Sequence, residues 1–185
     1  MDFQMKIDQH LETVRHLAEH GIPTIQQMAE ICRTALRDGH KILLCGNGGS
    51  AADSQHIAAE FVGRFVKERQ GLPSIALTTD TSILTAVGND YGYDEVFRRQ
   101  VEALGREGDV LIGISTSGNS ANVVKAFEQA KQQGLHVLAF TGGKESKMSA
   151  LADVTLFVEA PVTARIQECH IMVGHLICDY IDEDY

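Results

Sequence analysis

The stretch Asp109-Val110-Leu111-Ile112-Gly113-Ile114-Ser115-Thr116-Ser117-Gly118-Asn119-Ser120 joins an apolar run to a cluster of hydroxyl side chains. A run that is apolar at nearly every position is typical of a strand covered on both faces, as in a parallel sheet between helices. The hydroxyls after it predict a ligand loop, because parallel sheets carry their sites beyond the carboxyl ends of the strands. A helix is expected to begin where the stretch ends, which would place these hydroxyls at its positive end.

Four further apolar runs predict the remaining strands of the same sheet. They lie at 41–45, 74–78, 135–140 and 154–158, with helices expected near 52–66, 94–104, 120–133 and 162–181. This alternation predicts an α/β fold, a doubly wound three-layer sandwich around a five-stranded parallel sheet. It accounts for the chain from residue 39 onward.

The first 38 residues have a different pattern, which predicts a helical hairpin broken at Gly21-Ile22-Pro23. We expect a single domain over 1–185, with 1–38 as N-terminal helices for oligomerisation and 39–185 as the α/β core. A sheet with its own covering helices would leave the hairpin's apolar stripe exposed, which monomers rarely tolerate. A symmetric homo-oligomer would cover the stripe; the alternative is a hairpin that folds over its own sheet. The stripe includes Leu11, Val14, Leu17 and Ala18.

Composition limits the partners and the compartment. The 16 basic and 25 acidic residues among 185 give a net charge of −9, which argues against nucleic acid as a partner. No apolar run approaches the roughly 20 residues that cross a membrane, and no signal peptide is visible. The four cysteines show no paired spacing, so we expect reduced, mostly buried thiols in a cytoplasmic protein.

The loop after the first strand is rich in glycine and reads Cys45-Gly46-Asn47-Gly48-Gly49-Ser50-Ala51. Glycines let backbone N–H groups approach a ligand at the start of the next helix, and the loop nearly matches a dinucleotide-binding fingerprint. A dinucleotide site normally also has an acidic residue that closes the second strand about 20 residues on. Here Asp80 comes some 30 residues along, which disfavours a dinucleotide-dependent oxidoreductase. A bare glycine turn without a ligand stays open as an alternative.

The hydroxyl loop favours a phosphate ligand. Four hydroxyls in six residues exceed what a helix N-cap needs, and they can donate hydrogen bonds to a phosphate. The loop holds no Lys or Arg, so it is not a P-loop. Gly88-Asn89-Asp90 is expected in a polar loop after the second strand, with a simple turn as the alternative.

Two helices carry candidate metal ligands. His56 and Glu60 are four residues apart on the helix after the glycine loop and share one face; such a pair is also common as a surface hydrogen bond. Gln167 and His175 lie eight residues apart on the last helix, so their Cα atoms would be roughly 12 Å apart along its axis. Both reach one metal only at full side-chain stretch, unless a neighbouring subunit supplies one of them.

Four segments together resemble the sugar isomerase (SIS) domain superfamily and, within it, the phosphoheptose isomerase family. They are Cys45 to Ser50, Gly88 to Asp90, Ile114 to Ser120 and Ala164-Arg165-Ile166-Gln167-Glu168. The resemblance covers nearly the whole chain. It implies conversion of D-sedoheptulose 7-phosphate to D-glycero-D-manno-heptose 7-phosphate for surface glycans such as lipopolysaccharide. It also implies a homotetramer with shared active sites and one zinc ion per subunit.

The resemblance assigns roles to individual residues. It implies Glu60 as the base and His175 as the acid of an aldose–ketose isomerisation through an enediol, with zinc polarising the substrate oxygens. Glu60 is either a zinc ligand or a free base, or it exchanges between the two. The implied zinc ligands are His56, Glu60, Gln167 and His175. The implied substrate-binding residues are Asn47, Gly48, Gly49, Ser50, Glu60, Asn89, Asp90, Ser115, Thr116, Ser117, Ser120 and Gln167.

Two positions qualify the resemblance. Ala164 stands where some relatives have an acidic residue, so another group would have to replace that carboxylate. His170 has no implied role and is expected to be a buried helix residue or a surface residue. The alternative function is a non-catalytic SIS module that binds a sugar phosphate and a replication initiator protein. The four retained metal-ligand positions favour the enzyme.

Overall fold

The computed structural model describes residues 2–185 and contains a five-stranded sheet in the order β2-β1-β3-β4-β5. The strands are β1 (Ile42–Gly46), β2 (Ser74–Ala76), β3 (Val110–Ser115), β4 (His136–Gly142) and β5 (Val154–Val158). Every neighbouring pair is parallel. All residues of β1 and β3 are buried, because helices cover both faces of the sheet. The predicted doubly wound α/β fold is confirmed.

Helices fill the connections between the strands. They are α1 (Phe3–His20), α2 (Ile22–Arg37), α3 (Gly49–Val62), α4 (Thr81–Tyr91), α5 (Arg98–Leu104), α6 (Ala121–Gln132), α7 (Lys147–Leu151) and α8 (Thr163–Asp182), with a 3₁₀ turn at Tyr93–Glu95. The predicted break at Gly21 is confirmed, because α1 ends before it and α2 begins after it. None of the helices in the described part of the chain is long and apolar enough to span a membrane.

The sheet separates two apolar cores. Side chains of α2, α3 and α8 pack on one face together with Ile112 and Ile114, whereas α5, α6 and α7 pack on the other face with Leu111. This division follows from the alternation of side chains along β3. All four cysteines are free and buried, as expected. Burial raises the pKa of both the Cys32 and the Cys45 thiol to about 12.

The expectation that the sheet is covered without the hairpin is wrong for α2. Met28 and Cys32 of α2 are fully buried and belong to the same core as the strands and α8. The alternative, a helix folded over its own sheet, therefore describes α2. The predicted stripe of α1 is divided, since Leu17 is buried and Leu11 is 52% exposed.

The polar loop expected after β2 is also wrong, because Gly88, Asn89 and Asp90 lie within α4. Asp80 caps this helix by accepting a hydrogen bond from the N–H of Ile83 at 2.9 Å. The many β-branched residues and the glycine of α4 have modest helix propensity, which hid the helix in the sequence. None of the residues of α4 is buried in this chain. The short helix α7 was not predicted either.

Candidate active site

The glycine loop and the hydroxyl loop begin side by side in the sheet. Gly46, the last residue of β1, pairs with Ile114 near the end of β3. The strand order reverses between these two strands, and ligands of open α/β sheets bind in the crevice at this switch point. The two predicted ligand loops therefore lie together at the position where a ligand is expected.

The hydroxyl loop forms one cluster of side chains at the start of α6. Ser115 Oγ lies 2.9 Å from Ser120 Oγ and 3.3 Å from Ser117 Oγ. Ser120 occupies the N-cap position of α6, yet its side chain makes no capping hydrogen bond and is turned to Ser115 instead. Gly118 has φ +64°, which allows the tight turn that brings the hydroxyls together. Three hydroxyls thus share the positive end of α6.

The glycine loop receives a side chain from α8. Gly48 has φ +56°, and Gly49 begins α3. A Cβ atom on Gly49 would lie only 2.6 Å from Nε2 of Gln167. Glycine at this position therefore lets the Gln167 amide reach the loop. Ser50 follows in the first turn of α3 and is buried.

Two residues that the sequence prediction missed connect the loops. The amides of Asn47 and Asn122 exchange two hydrogen bonds, of 2.9 and 2.8 Å, across the switch point. The hydroxyl of Tyr93 also lies 3.5 Å from Asn47 Oδ1. Asn122 is only 4% exposed, and a polar residue just inside a helix after a ligand loop was the available signal. This pair orients the Asn47 amide, because buried amides need partners.

Asn89 and Asp90 lie on the surface of the chain. Both are exposed on the last turn of α4, and Asn89 Nδ2 donates to Asp90 Oδ1 at 2.9 Å. Tyr93 follows three residues after Asp90 and reaches the glycine loop. Of these three residues, Tyr93 is the one whose hydrogen bond links the end of α4 to the glycine loop.

The predicted metal pair His56 and Glu60 is joined by His175 of the same chain. His56 Nε2 lies 2.9 Å from His175 Nε2 and 3.2 Å from Glu60 Oε1. A tetrahedral zinc ion with bonds of about 2.1 Å separates its ligand atoms by about 3.4 Å. The three donor atoms lie within 4.8 Å of one another, and two imidazoles with one carboxylate are a donor set that zinc accepts. The residues therefore fit a zinc ion.

Gln167, the fourth predicted ligand, lies at another place on α8. Its amide contacts Gly49, at the opposite end of α3 from Glu60. Eight residues separate it from His175, which is about 12 Å along the helix. Within one chain the structure thus brings three of the four predicted ligands together and places Gln167 at the glycine loop.

His170 is the buried helix residue that was one of the two expectations. Its Nε2 lies 3.0 Å from the carbonyl oxygen of Thr141, at the end of β4. Burial lowers the pKa of His170 to about 4, although the hydrogen bond to Thr141 opposes this shift. The neutral imidazole therefore donates to the carbonyl and joins α8 to β4. Ala164, in the first turn of α8, is exposed.

Fold and site together define a doubly wound α/β protein with paired ligand loops at the switch point and a separate cluster fit for zinc. The SIS domain family model matches residues 6–142 of the chain. A phosphoheptose isomerase from Aliarcobacter butzleri is 54% identical over 175 residues, which cover 95% of this chain and 93% of that protein. One from Aquifex aeolicus is 58% identical over 159 residues, covering 86% and 83%.

A solved structure shows the same likeness in three dimensions. Phosphoheptose isomerase from Neisseria gonorrhoeae superposes with a TM-score of 0.93 at 49% identity, covering 97% of this chain and 96% of that chain. The chain belongs to the SIS domain family and, within it, to the phosphoheptose isomerases.

Proposed function

We propose that the protein interconverts D-sedoheptulose 7-phosphate and D-glycero-D-manno-heptose 7-phosphate, and so supplies a heptose precursor for surface glycans. The observation that carries the proposal is the convergence of Glu60, His56 and His175 in a chain whose hydroxyl loop also suits a phosphate. Relatives named phosphoheptose isomerase at more than 50% identity support it. They also favour an enzyme over a regulatory binding module.

Isomerisation of a ketose to an aldose moves one proton between neighbouring carbons. In this proposal Glu60 takes the proton from the carbon beside the carbonyl and returns it to the former carbonyl carbon, through an enediol. His175, whose Nε2 borders the same cluster, is the acid that passes a proton between the two oxygens. A carboxylate and an imidazole within reach of one substrate can perform both transfers.

Zinc is the proposed cofactor, at one ion per subunit. His56, Glu60 and His175 would hold it, and Gln167 would join them only if a neighbouring copy brings that residue close. Bound zinc supplies Lewis-acid polarisation of substrate oxygens. Glu60 carries two oxygens, so ligand and base roles remain compatible when its coordination is weak. His175 would act as the acid only while its Nε2 is not bound to zinc, because a coordinated ring nitrogen carries no proton.

The polar loops are proposed to hold the remainder of the substrate. Donor hydroxyls and the positive end of α6 suit a phosphate, and the loop has no positively charged side chain of its own. Amide and hydroxyl groups of the other loop suit sugar hydroxyls. The phosphate residues are Ser115, Thr116, Ser117 and Ser120; the sugar residues are Asn47, Gly48, Gly49, Ser50, Asn89, Asp90 and Gln167.

A panel of phosphorylated ketoses with five to seven carbons tests the function directly. The purified protein should convert sedoheptulose 7-phosphate faster than the shorter ketose phosphates, and it should exchange the transferred proton with solvent deuterium. Binding of these sugars without turnover would instead favour the regulatory module. An absorbance change on titration with a nicotinamide cofactor would favour the oxidoreductase, although Asp80 is occupied as a helix cap.

The proposed assembly is a homotetramer with active sites shared between subunits. The outer face of α1 exposes Phe3, Ile7 and Leu11, and α4 buries no residue in its own chain, so both helices have surface available for a second copy. Along α3, Gly49 and Glu60 are also separated by about 16 Å. A loop from one copy facing the cluster of another would close this gap.

Light scattering tests the assembly, and hybrids test the shared site. An active species of one chain, 20.2 kDa, would contradict both. Glu60→Gln and Ser120→Asp proteins should each be inactive, the second because its added charge repels phosphate. Refolding them together should restore partial activity if the loop and the cluster come from different copies. The proposed location is the cytoplasm, which the four free buried thiols support.

A further inference from the structure

A buried ion pair joins the segment after α3 to the end of α8. Arg69 Nε lies 2.5 Å from Asp182 Oδ1, and the two side chains are 1% and 2% exposed. Removing two charges from water is costly, and apolar residues of similar size often stabilise a fold as well. A pair kept at this position therefore calls for a reason beyond stability.

Both side chains of the pair also form hydrogen bonds with the surrounding backbone. The second oxygen of Asp182 accepts hydrogen bonds from the N–H groups of Val66 at 2.7 Å and Lys67 at 3.0 Å. Arg69 donates to the carbonyl oxygens of Glu60 and Phe61, both at 2.9 Å. These carbonyls belong to the last turn of α3, where intrahelical partners are missing. The guanidinium thus caps α3 while it is anchored to α8.

The contacts of Arg69 and Asp182 also involve residues of the candidate metal cluster or their close neighbours. Glu60, whose carbonyl Arg69 holds, contributes the carboxylate of that cluster. Asp182 lies seven residues after His175, and seven residues are close to two helical turns, so both lie on one face of α8. Phe65 directly precedes Val66, whose N–H bonds to Asp182, and it packs against the His175 ring with 5.6 Å between ring centroids.

We propose that Arg69 and Asp182 are positioning residues that fix the end of α3 against α8 and so set the distance from Glu60 and His56 to His175. The proposal deepens the proposed function, on which it rests, because it assigns the pair to the same site. It also explains why charge is buried here: the fork of Arg69 reaches two carbonyls of α3 and one carboxylate at once. An apolar side chain would remove the hydrogen bond that the Glu60 carbonyl accepts, whereas the Phe61 carbonyl would keep the N–H of Leu72.

Asp109, in the loop before β3, offers a matched control outside α3 and α8. Its side chain is also 2% exposed, and it accepts hydrogen bonds from the N–H groups of Lys41 at 3.0 Å and Arg106 at 2.8 Å. The Lys41 ammonium lies 2.5 Å from it. Asp109 therefore has two backbone donors and one cation, as Asp182 has, but these partners, Lys41 and Arg106, belong to neither α3 nor α8.

The experiment compares zinc affinity and kinetics in Asp182→Asn, Arg69→Lys and Asp109→Asn proteins. Zinc is titrated first, without substrate, against a competing chelator. We expect Asp182→Asn to weaken zinc binding at least tenfold and to lower kcat by a similar factor, with KM changed less than twofold. Asp109→Asn should lose comparable thermal stability and keep both zinc affinity and kcat.

Arg69→Lys is the variant expected to fold even if Asp182→Asn does not, because lysine keeps a positive charge next to Asp182. Lysine cannot, however, reach the carbonyls of both Glu60 and Phe61. This variant should fold and still bind zinc more weakly than the wild-type protein. If Asp182→Asn and Arg69→Lys bind zinc as tightly as Asp109→Asn, the proposal is wrong. It is also wrong if the wild-type protein binds no zinc. A wild-type protein that binds zinc but isomerises no heptose phosphate would overturn the proposed function alone.

Discussion

The hydroxyl loop and the candidate metal cluster of His56, Glu60 and His175 are assembled in opposite ways. Ser115 and Ser120 meet within one short segment, and the strand and helix that flank it are sufficient to hold them. His56 and His175 meet across 119 residues, on two helices whose spacing depends on a third segment. A local site is determined by its own sequence, whereas a site between helices is determined by packing. Substitutions should therefore affect them differently.

The largest expected effect is on the cluster. Glu60→Gln keeps the size of the side chain but removes its basicity, so kcat should fall on the order of 10²-fold or more. KM should change little, because the hydroxyl loop is intact. Steady-state kinetics on sedoheptulose 7-phosphate measure both.

Glu68→Gln is the matched control for this substitution, since Glu68 lies in the adjoining segment with a side chain 90% exposed. It should be kinetically silent. Turnover near the wild-type rate in Glu60→Gln would exclude Glu60 as the base and would leave the cluster a metal site at most.

The second largest effect is expected for His56→Ala, which should abolish zinc binding without changing the stability of the metal-free fold. His56→Ala removes one of three convergent donors from a half-exposed position, so bound zinc should be lost while the melting temperature of the metal-free protein stays the same. Elemental analysis of protein purified without chelator gives the zinc content. A zinc-free wild-type protein with full activity would contradict the metal site and reduce His56 to a structural residue.

A substitution in the hydroxyl loop should weaken substrate binding and leave kcat nearly unchanged. Ser120→Ala removes one hydroxyl from the cluster, and one lost hydrogen bond of about 1.4 kcal/mol corresponds to a tenfold rise in KM. Inhibition by inorganic phosphate should weaken by the same factor, because phosphate tests this loop alone. An unchanged phosphate affinity would remove the phosphate from the hydroxyl loop.

Asn122 has an intermediate position in this comparison, because it joins the two loops without being part of either predicted binding set. Asn122→Asp keeps the shape but replaces one donor with a carboxylate oxygen that faces Asn47 Oδ1. The Asn47 amide should lose its orientation, and KM should rise several-fold with kcat nearly unchanged. A double substitution with Asn47→Ala should then add little, since both changes act on one amide. Additive effects would contradict the coupling.

The same contrast explains what could be predicted from the sequence. The strands, the hydroxyl loop and the glycine loop follow from continuous apolar runs and their polar ends, which are local patterns. Asn122 and Arg69 act through partners that are remote in sequence, so no spacing indicated them. His175 was identified by resemblance, and its place beside His56 required the packing of α8 on α3. The α4 helix was missed because its β-branched residues and its glycine have modest helix propensity.

The smallest expected effect concerns the partly exposed ion pairs of Glu95, which lies in the same 3₁₀ turn as Tyr93. Glu95 pairs with Arg98 and with Lys125 at 2.7 Å, and hydrogen bonds from these two side chains hold the pKa of Glu95 below its usual value. A lowered carboxyl pKa contributes stability above the ordinary glutamate pKa of about 4.3 and loses it as the pH falls through the folded-state value.

Glu95→Gln should therefore cost about 0.5 kcal/mol of unfolding free energy at pH 7, which is typical of partly exposed pairs. The difference from the wild-type protein should shrink as the pH falls below about 4, and it should also shrink in high salt at pH 7, because salt screens exposed charges. Urea unfolding at pH 7 and below pH 4, and at low and high salt at pH 7, measures this difference in unfolding free energy. The buried Asp182 pair should keep its contribution in salt, since no solvent ions reach it. If the Glu95 and Asp182 variants lose unfolding free energy to the same extent in salt, the two ion pairs do not differ in exposure to solvent ions as proposed.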